Sequence, residues 1–175
     1  LCSIKPLRYF ANVYVDFIRG TPLLVQIFLV YFALPNIIGS RVDPFVAAIS
    51  ACSINSGAYV AEIFRAGIQS IDKGQMEAGR SLGMTQSMTM KEIIMPQAVK
   101  NILPALCNEF ITVIKETSIV SVIGVTDLMY NVNIVRGISF RPLEPLLIAA
   151  VIYFILTFGL SKAVNILEGK MKQSD

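Results

Sequence analysis

The sequence contains no histidine. That absence removes the commonest metal ligand and the usual general base at neutral pH. Cysteine is scarce: Cys2, Cys52 and Cys107 are the only three. They are odd in number and widely spaced, and two fall inside apolar stretches. They read as small buried apolar residues and not as a disulfide or zinc framework. No metal site and no cofactor are therefore expected. Charge is also sparse, at 15% of 175 residues, where a soluble domain carries about 25%. The net charge of +3 is too small to suggest nucleic acid as a partner. No Gly-x-x-x-x-Gly-Lys-Ser/Thr phosphate loop occurs, so the chain is not expected to bind ATP itself. The first residue is Leu and no signal peptide is visible; the expectation is a sequence that begins inside a longer natural chain.

What is present is apolar. Hydrophobic residues make up 54% of the chain and the mean hydropathy is +0.64. Several long apolar runs carry this excess, which predicts an all-α, polytopic helical membrane protein over residues 1–175, in contact with membrane lipid. Leu1 to Arg19 reads as an interfacial lead-in. The first span is expected from about Leu23 to Ile38, with Thr21 as its N-cap and Pro22 at its first position. The second runs from about Phe45 to Ile63 and the third from about Ile102 to Ile123. Gly124 to Pro142 reads as a loop with short helices, and the fourth span runs from about Leu143 or Leu146 to Leu160. A tail follows from Ser161. Lysine and arginine set the orientation. With both ends and residues 72–96 in the cytoplasm, that side holds eleven of them, against Arg41, Arg136 and Arg141 outside and Lys115 within a span.

Residues 72–96 are the polar interruption around which the spans are arranged. Asp72 can cap a short helix with Gln75 reaching back. Gly83 can stop it in a left-handed conformation. Thr85 can cap a second short helix, and Pro96 is expected to limit that one. The apolar methionines, Met76, Met84, Met88, Met90 and Met95, give the elbow an adaptable side.

The elbow reads Glu77-Ala78-Gly79, three residues, Gly83, nine residues, then Ile93-x-Met95-Pro96. This resembles the cytoplasmic loop of binding-protein-dependent ABC importer permeases. That family's pattern is Glu-Ala-Ala, three residues, Gly, nine residues, Ile-x-Leu-Pro, so Gly79 and Met95 are mild departures. Three other stretches resemble the polar amino-acid branch: Arg19 to Gln26, Asn55 to Gly67 and Lys115 to Gly124. The resemblance implies the ABC importer permease fold, a helical bundle of five spans, of which this chain would lack the first. It implies a non-catalytic permease subunit that moves an amino acid. Its implied partners are a second permease, identical or not, two cytoplasmic ABC ATPase subunits and an extracytoplasmic solute-binding protein. Glu77, Ala78, Gly79, Gly83, Ile93 and Pro96 would then couple the chain to the ATPase.

Candidate substrate-path residues are the polar groups inside the spans: Gln26, Asn55, Ser56, Tyr59, Glu116, Thr117 and Ser118. Asn55, Ser56 and Tyr59 offer donors and acceptors suited to an amino-acid zwitterion, or equally to helix–helix hydrogen bonds. Gln26 suits either packing or ligand contact. An intramembrane charge costs about 2.5–3.5 kcal/mol on insertion scales, so Lys115 and Glu116 need a partner or a function. Two readings fit: an ion pair with each other or with Glu109, or a Glu116 facing a cationic substrate. Glu62 and Arg65 suit an intrahelical ion pair or support of a gate. The competing functional class is an ATP-independent secondary transporter or channel for small polar solutes, which intramembrane charge also suits.

Overall fold

The computed structural model describes residues 4–172, and side chains through residue 169. Cys2 lies outside the described residues, as do the side chains of Lys170 and Lys172. The described residues form helices joined by short turns. These are α1 (Lys5–Arg19), α2 (Leu23–Ile38), α3 (Pro44–Gln69), α4 (Lys73–Ser81), α5 (Gln86–Ile123), α6 (Leu128–Ser139) and α7 (Leu143–Lys172). Two helices, α3 and α7, are long and apolar enough to cross a membrane, and the count reaches four if each bent pair is one span. Those pairs are α1 with α2, bent by 106°, and α5 with α6, bent by 51°.

Helix α3 is the centre. It packs against α1, α2 and α5, while α7 packs on α5 and α6. Its Ala47, Ala48, Ala51 and Ala58 are buried. Small side chains on one helical face let neighbouring backbones approach closely, and such packing associates helices where lipid supplies no hydrophobic drive. Ile27 of α2 and Val120 and Ile123 of α5 close this core. The outward faces carry Phe154, Ile155 and Phe158 of α7, all largely exposed, as a lipid-facing helix requires. Asp43 caps α3 by accepting from the Phe45 and Val46 N–H groups at 2.9 and 3.2 Å. Pro44 then occupies a first-turn position where its missing N–H costs nothing.

Several boundaries differ from expectation. Thr21 does not cap α2. Its hydroxyl donates back to the Phe17 carbonyl at 2.9 Å, because the bend after α1 leaves that carbonyl without a helical partner. Pro22 is the N-cap residue of α2, not its first helical position. Asp72 does cap α4, accepting from Gly74 N–H, but among the described residues Gln75 makes no returning side-chain bond. The tail expected from Ser161 continues as helix α7.

The largest difference is at Pro96. The helix does not stop there but runs on from Gln86 to Ile123. A proline cannot donate to the carbonyl four residues back, and its ring crowds that carbonyl. The chain answers with a widened, five-residue-repeat turn over Met90–Ile94, immediately before Met95 and Pro96. In α2 the same turn spans Leu29–Ala33, before Leu34 and Pro35. Widened turns of this kind are how spanning helices keep their backbone groups paired around proline.

Candidate functional site

The elbow is built from local chemistry. Helix α4 ends in a Schellman closure. Gly83, at φ +84°, donates to the Arg80 carbonyl, and Met84 N–H reaches the Gly79 carbonyl, both at 3.1 Å. Thr85 caps the next helix, its hydroxyl oxygen accepting from Met88 N–H at 3.2 Å. Glu77 and Ala78 face outward. Among the described residues the Glu77 carboxylate has no ion-pair partner. Gly79 is different: it is buried, and an added Cβ would lie 2.5 Å from Thr89 Cγ2 and 3.2 Å from Ile93 Cδ1. The fully buried Thr89 thus occupies the space where the related pattern has an alanine methyl. Gly79 and Ile93 hold the two halves of the elbow together, while Glu77 and Ala78 present its surface. Pro96 sits exposed past the widened turn, at the base of the long helix.

The second site is a cleft of about 380 Å³ lined by Arg19, Gly20, Thr21, Pro22, Leu23, Asn55, Tyr59 and Glu116. It lies where the α1–α2 bend, α3 and α5 meet. Gly67 of α3 packs on Ile102 of α5. Counting about 1.5 Å per helical residue from that contact, Asn55 stands about 18 Å and Glu116 about 21 Å along their helices. The two therefore sit at the same level.

Asn55 lines the cleft and Gln26 backs it. Both are buried, and the Asn55 amide donates to Gln26 Oε1 at 3.0 Å. The Gln26 amide nitrogen donates to the Ile18 carbonyl at 2.8 Å and to the Thr21 carbonyl and hydroxyl at 3.0 and 2.9 Å. One side chain thus ties the end of α1, the start of α2 and the middle of α3, and gives the Thr21 carbonyl at the bend a donor. Gln26 does not line the cleft, and its donors are already taken.

On the cleft wall, the Arg19 guanidinium lies over the Tyr59 ring, 5.5 Å from its centre, and 3.6 Å from Glu62. Glu62 is held more closely by Arg65, whose Nε donates at 2.8 Å and whose terminal nitrogen makes a second bond. Arg65 also reaches Gln69 at 2.7 Å. The expected intrahelical pair of Glu62 and Arg65 is therefore present, with Arg19 as a third member. Glu116 faces this wall from α5. Among the described residues neither Lys115 nor Glu116 forms an ion pair, so the mutual neutralisation considered above is not made within this chain.

Of the expected path residues, Asn55, Tyr59 and Glu116 come together at the cleft, with Gln26 behind them. Ser56, Thr117 and Ser118 do not line it. Ser56 is one residue, about 100°, around the helix from Asn55. Thr117 turns its hydroxyl to the Ile114 carbonyl at 2.9 Å. Arg19 and Thr21 line the cleft although the sequence places Arg19 in a lead-in and Thr21 at a helix cap. The one available signal was Arg19-Gly-Thr-Pro, a cation set directly before a forced bend.

Residues 4–173 match the family described as binding-protein-dependent transport system inner membrane component. The chain is 46% identical to the arginine transport system permease protein ArtQ of Bacillus subtilis, over all of this chain and 81% of that protein. It is 48% identical to a putative glutamine transport system permease protein GlnP of Rickettsia conorii, over 98% of this chain and 80% of that one. A crystal structure of an amino acid ABC transporter with histidines superposes with a TM-score of 0.92 at 51% identity, over 97% of this chain and 78% of that one.

Proposed function

Since this chain belongs to the family of binding-protein-dependent transport system inner membrane components, we propose that it is the permease subunit of an ATP-driven importer for a polar amino acid, with a cationic one favoured. The observation that carries the substrate class is the cleft. A Glu116 carboxylate with no ion-pair partner among the described residues lines one cleft with Asn55 and Tyr59, where three helices pack. A carboxylate in that position needs a cation, and an amino acid's ammonium or guanidinium supplies one. The relatives' names, arginine and glutamine transport permeases, support an amino-acid substrate.

The mechanism follows from how α5 joins two sites. Its first end packs in the elbow against α4, which carries Glu77 and Ala78 on its outer surface, and its other end carries Glu116. Two ATPase subunits would dock on the elbows of this chain and a second permease. Nucleotide then favours one conformation only through contacts that differ between the two states. Because Gln86–Ile123 is one continuous helix, tilting the elbow moves Glu116 with it. A solute-binding protein would deliver the amino acid from outside while the cleft faces that side. The family membership and the elbow weigh against an ATP-independent carrier.

The direct test is reconstitution of the complex in proteoliposomes with its ATPase and binding protein, over a panel of amino acids. ATP-dependent accumulation of polar amino acids is the expected result. Uptake at the same rate without ATP would overturn the proposal. Orientation is tested separately: a cysteine at Lys73 should label only from the cytoplasmic side and one at Ser40 only from outside. Labelling of both from one side would refute the topology.

Gly83→Val tests coupling. Space is open around Gly83, but its φ of +84° strains any branched side chain, by more than about 1 kcal/mol. The variant should insert and assemble, yet transport should fall relative to ATP hydrolysed. Undiminished transport with normal ATPase stimulation would remove Gly83 from the coupling path.

A further inference from the structure

We propose that Arg19 is the anchor for the α-carboxylate of the transported amino acid, so that the cleft selects ligands carrying a free carboxylate opposite their cationic group. This rests on the amino-acid reading of the cleft above.

Three observations converge on Arg19. It lines the cleft that Glu116 also lines, so one wall carries a cation and the other an anion. The two are not paired with each other. A zwitterion is the ligand class that answers both charges at once.

Second, the Arg19 guanidinium has donors to spare. It has five N–H groups, and among the described residues none of them makes a hydrogen bond within the chain. Its one ion-pair contact among the described residues, Glu62 at 3.6 Å, is to a carboxylate that Arg65 already holds through two nitrogens. Arg19 is thus the outlying member of a three-charge cluster. Its side chain keeps 40% of its surface exposed. A ligand carboxylate can take the planar fork with two parallel bonds without first breaking a strong internal one.

Third, Arg19 stands on a rigid base. Its guanidinium rests over the Tyr59 ring, 5.5 Å from the centre. Its backbone lies between Ile18 and Thr21, the two residues that Gln26 bonds. The next residue, Gly20, has no room for a side chain: a Cβ there would sit 2.9 Å from the Asp16 carbonyl. The cation is therefore presented at a set position instead of swinging on a loop.

The alternative role is structural, with Arg19 only balancing Glu62. The two roles separate with a ligand that lacks the carboxylate. The permease–ATPase complex in lipid nanodiscs, without binding protein, is titrated with arginine and with agmatine, its decarboxylated analogue. In the parent complex agmatine should bind at least tenfold more weakly than arginine. Arg19→Gln should weaken arginine by a similar factor and leave agmatine within about twofold, and Arg19→Lys should fall between. Equal loss for both ligands in Arg19→Gln would mean a structural role and overturn the inference. If Arg19→Gln fails to assemble, Arg19→Lys decides: loss of arginine binding with agmatine unchanged supports the anchor, and no change in either ligand overturns it. Glu116→Gln separates this inference from the reading beneath it. Weaker binding of both ligands in Glu116→Gln, with neither changed by Arg19→Gln, would leave the amino-acid cleft standing without its anchor. No effect of either variant would remove the cleft altogether.

Discussion

Replacing Glu116 with glutamine will weaken transport of a cationic amino acid roughly ten- to hundredfold while the complex still assembles. The substitution keeps the shape of the side chain and removes its charge. A hydrogen bond to a charged group contributes about 1.5–3 kcal/mol, and each 1.4 kcal/mol is about tenfold in affinity. Basal ATPase activity should survive. Were Glu116 the partner of Lys115, the same change would strand a lysine in a spanning helix and yield would collapse for every substrate. No such pair is formed among the described residues, so the loss should appear in affinity and not in yield. Yield is read by size-exclusion chromatography and affinity by substrate titration of the same preparation. A folded complex with unchanged affinity would take Glu116 out of the site.

Adding a single methyl at Gly67 should disrupt the junction of α3 with α5. A Cβ there would lie 2.3 Å from Ile102 Cγ1 and 3.1 Å from its Cδ1. Ile102 is only 3% exposed, and its β-branched side chain is stiff in a helix. It cannot swing aside, so the backbones must part. Overpacking of this kind costs about 1–3 kcal/mol. Ile102→Ala alone leaves a cavity and costs about 2–5 kcal/mol. The double variant should lose less than the sum of the two, because each change relieves the defect of the other. Unfolding midpoints of the four proteins in one detergent give the cycle. Strict additivity would show that Gly67 and Ile102 are not packed as described. The consequence reaches the cleft, since this contact sets the level at which Asn55 and Glu116 meet.

Much of this protein is legible in its sequence, wherever the physics is local. Apolar runs of spanning length, caps at Asp72 and Thr85, and a glycine at the end of α4 each act within a few residues of themselves. The lysine and arginine distribution is likewise a property of the string, and so is the spacing of the elbow motif. Glu116 stands out in the sequence because a carboxylate in an apolar run is costly whatever surrounds it. Tertiary structure decided the rest. Pro96 would end an isolated helix, yet the helix continues, because α4 packs on the near side of a widened turn and α3 and α7 pack on its far side. Gly79 looked like a neutral exchange for alanine until Thr89, ten positions on, took up its missing methyl. Gln26 could equally have met a ligand. Only the 106° bend, which brings the Ile18 and Thr21 carbonyls within its reach, commits it to the backbone. Arg19 belongs to a lead-in by position and to the cleft by contact. Its neighbours there, Tyr59 and Glu116, lie 40 and 97 residues away along the chain, a separation no local pattern can register.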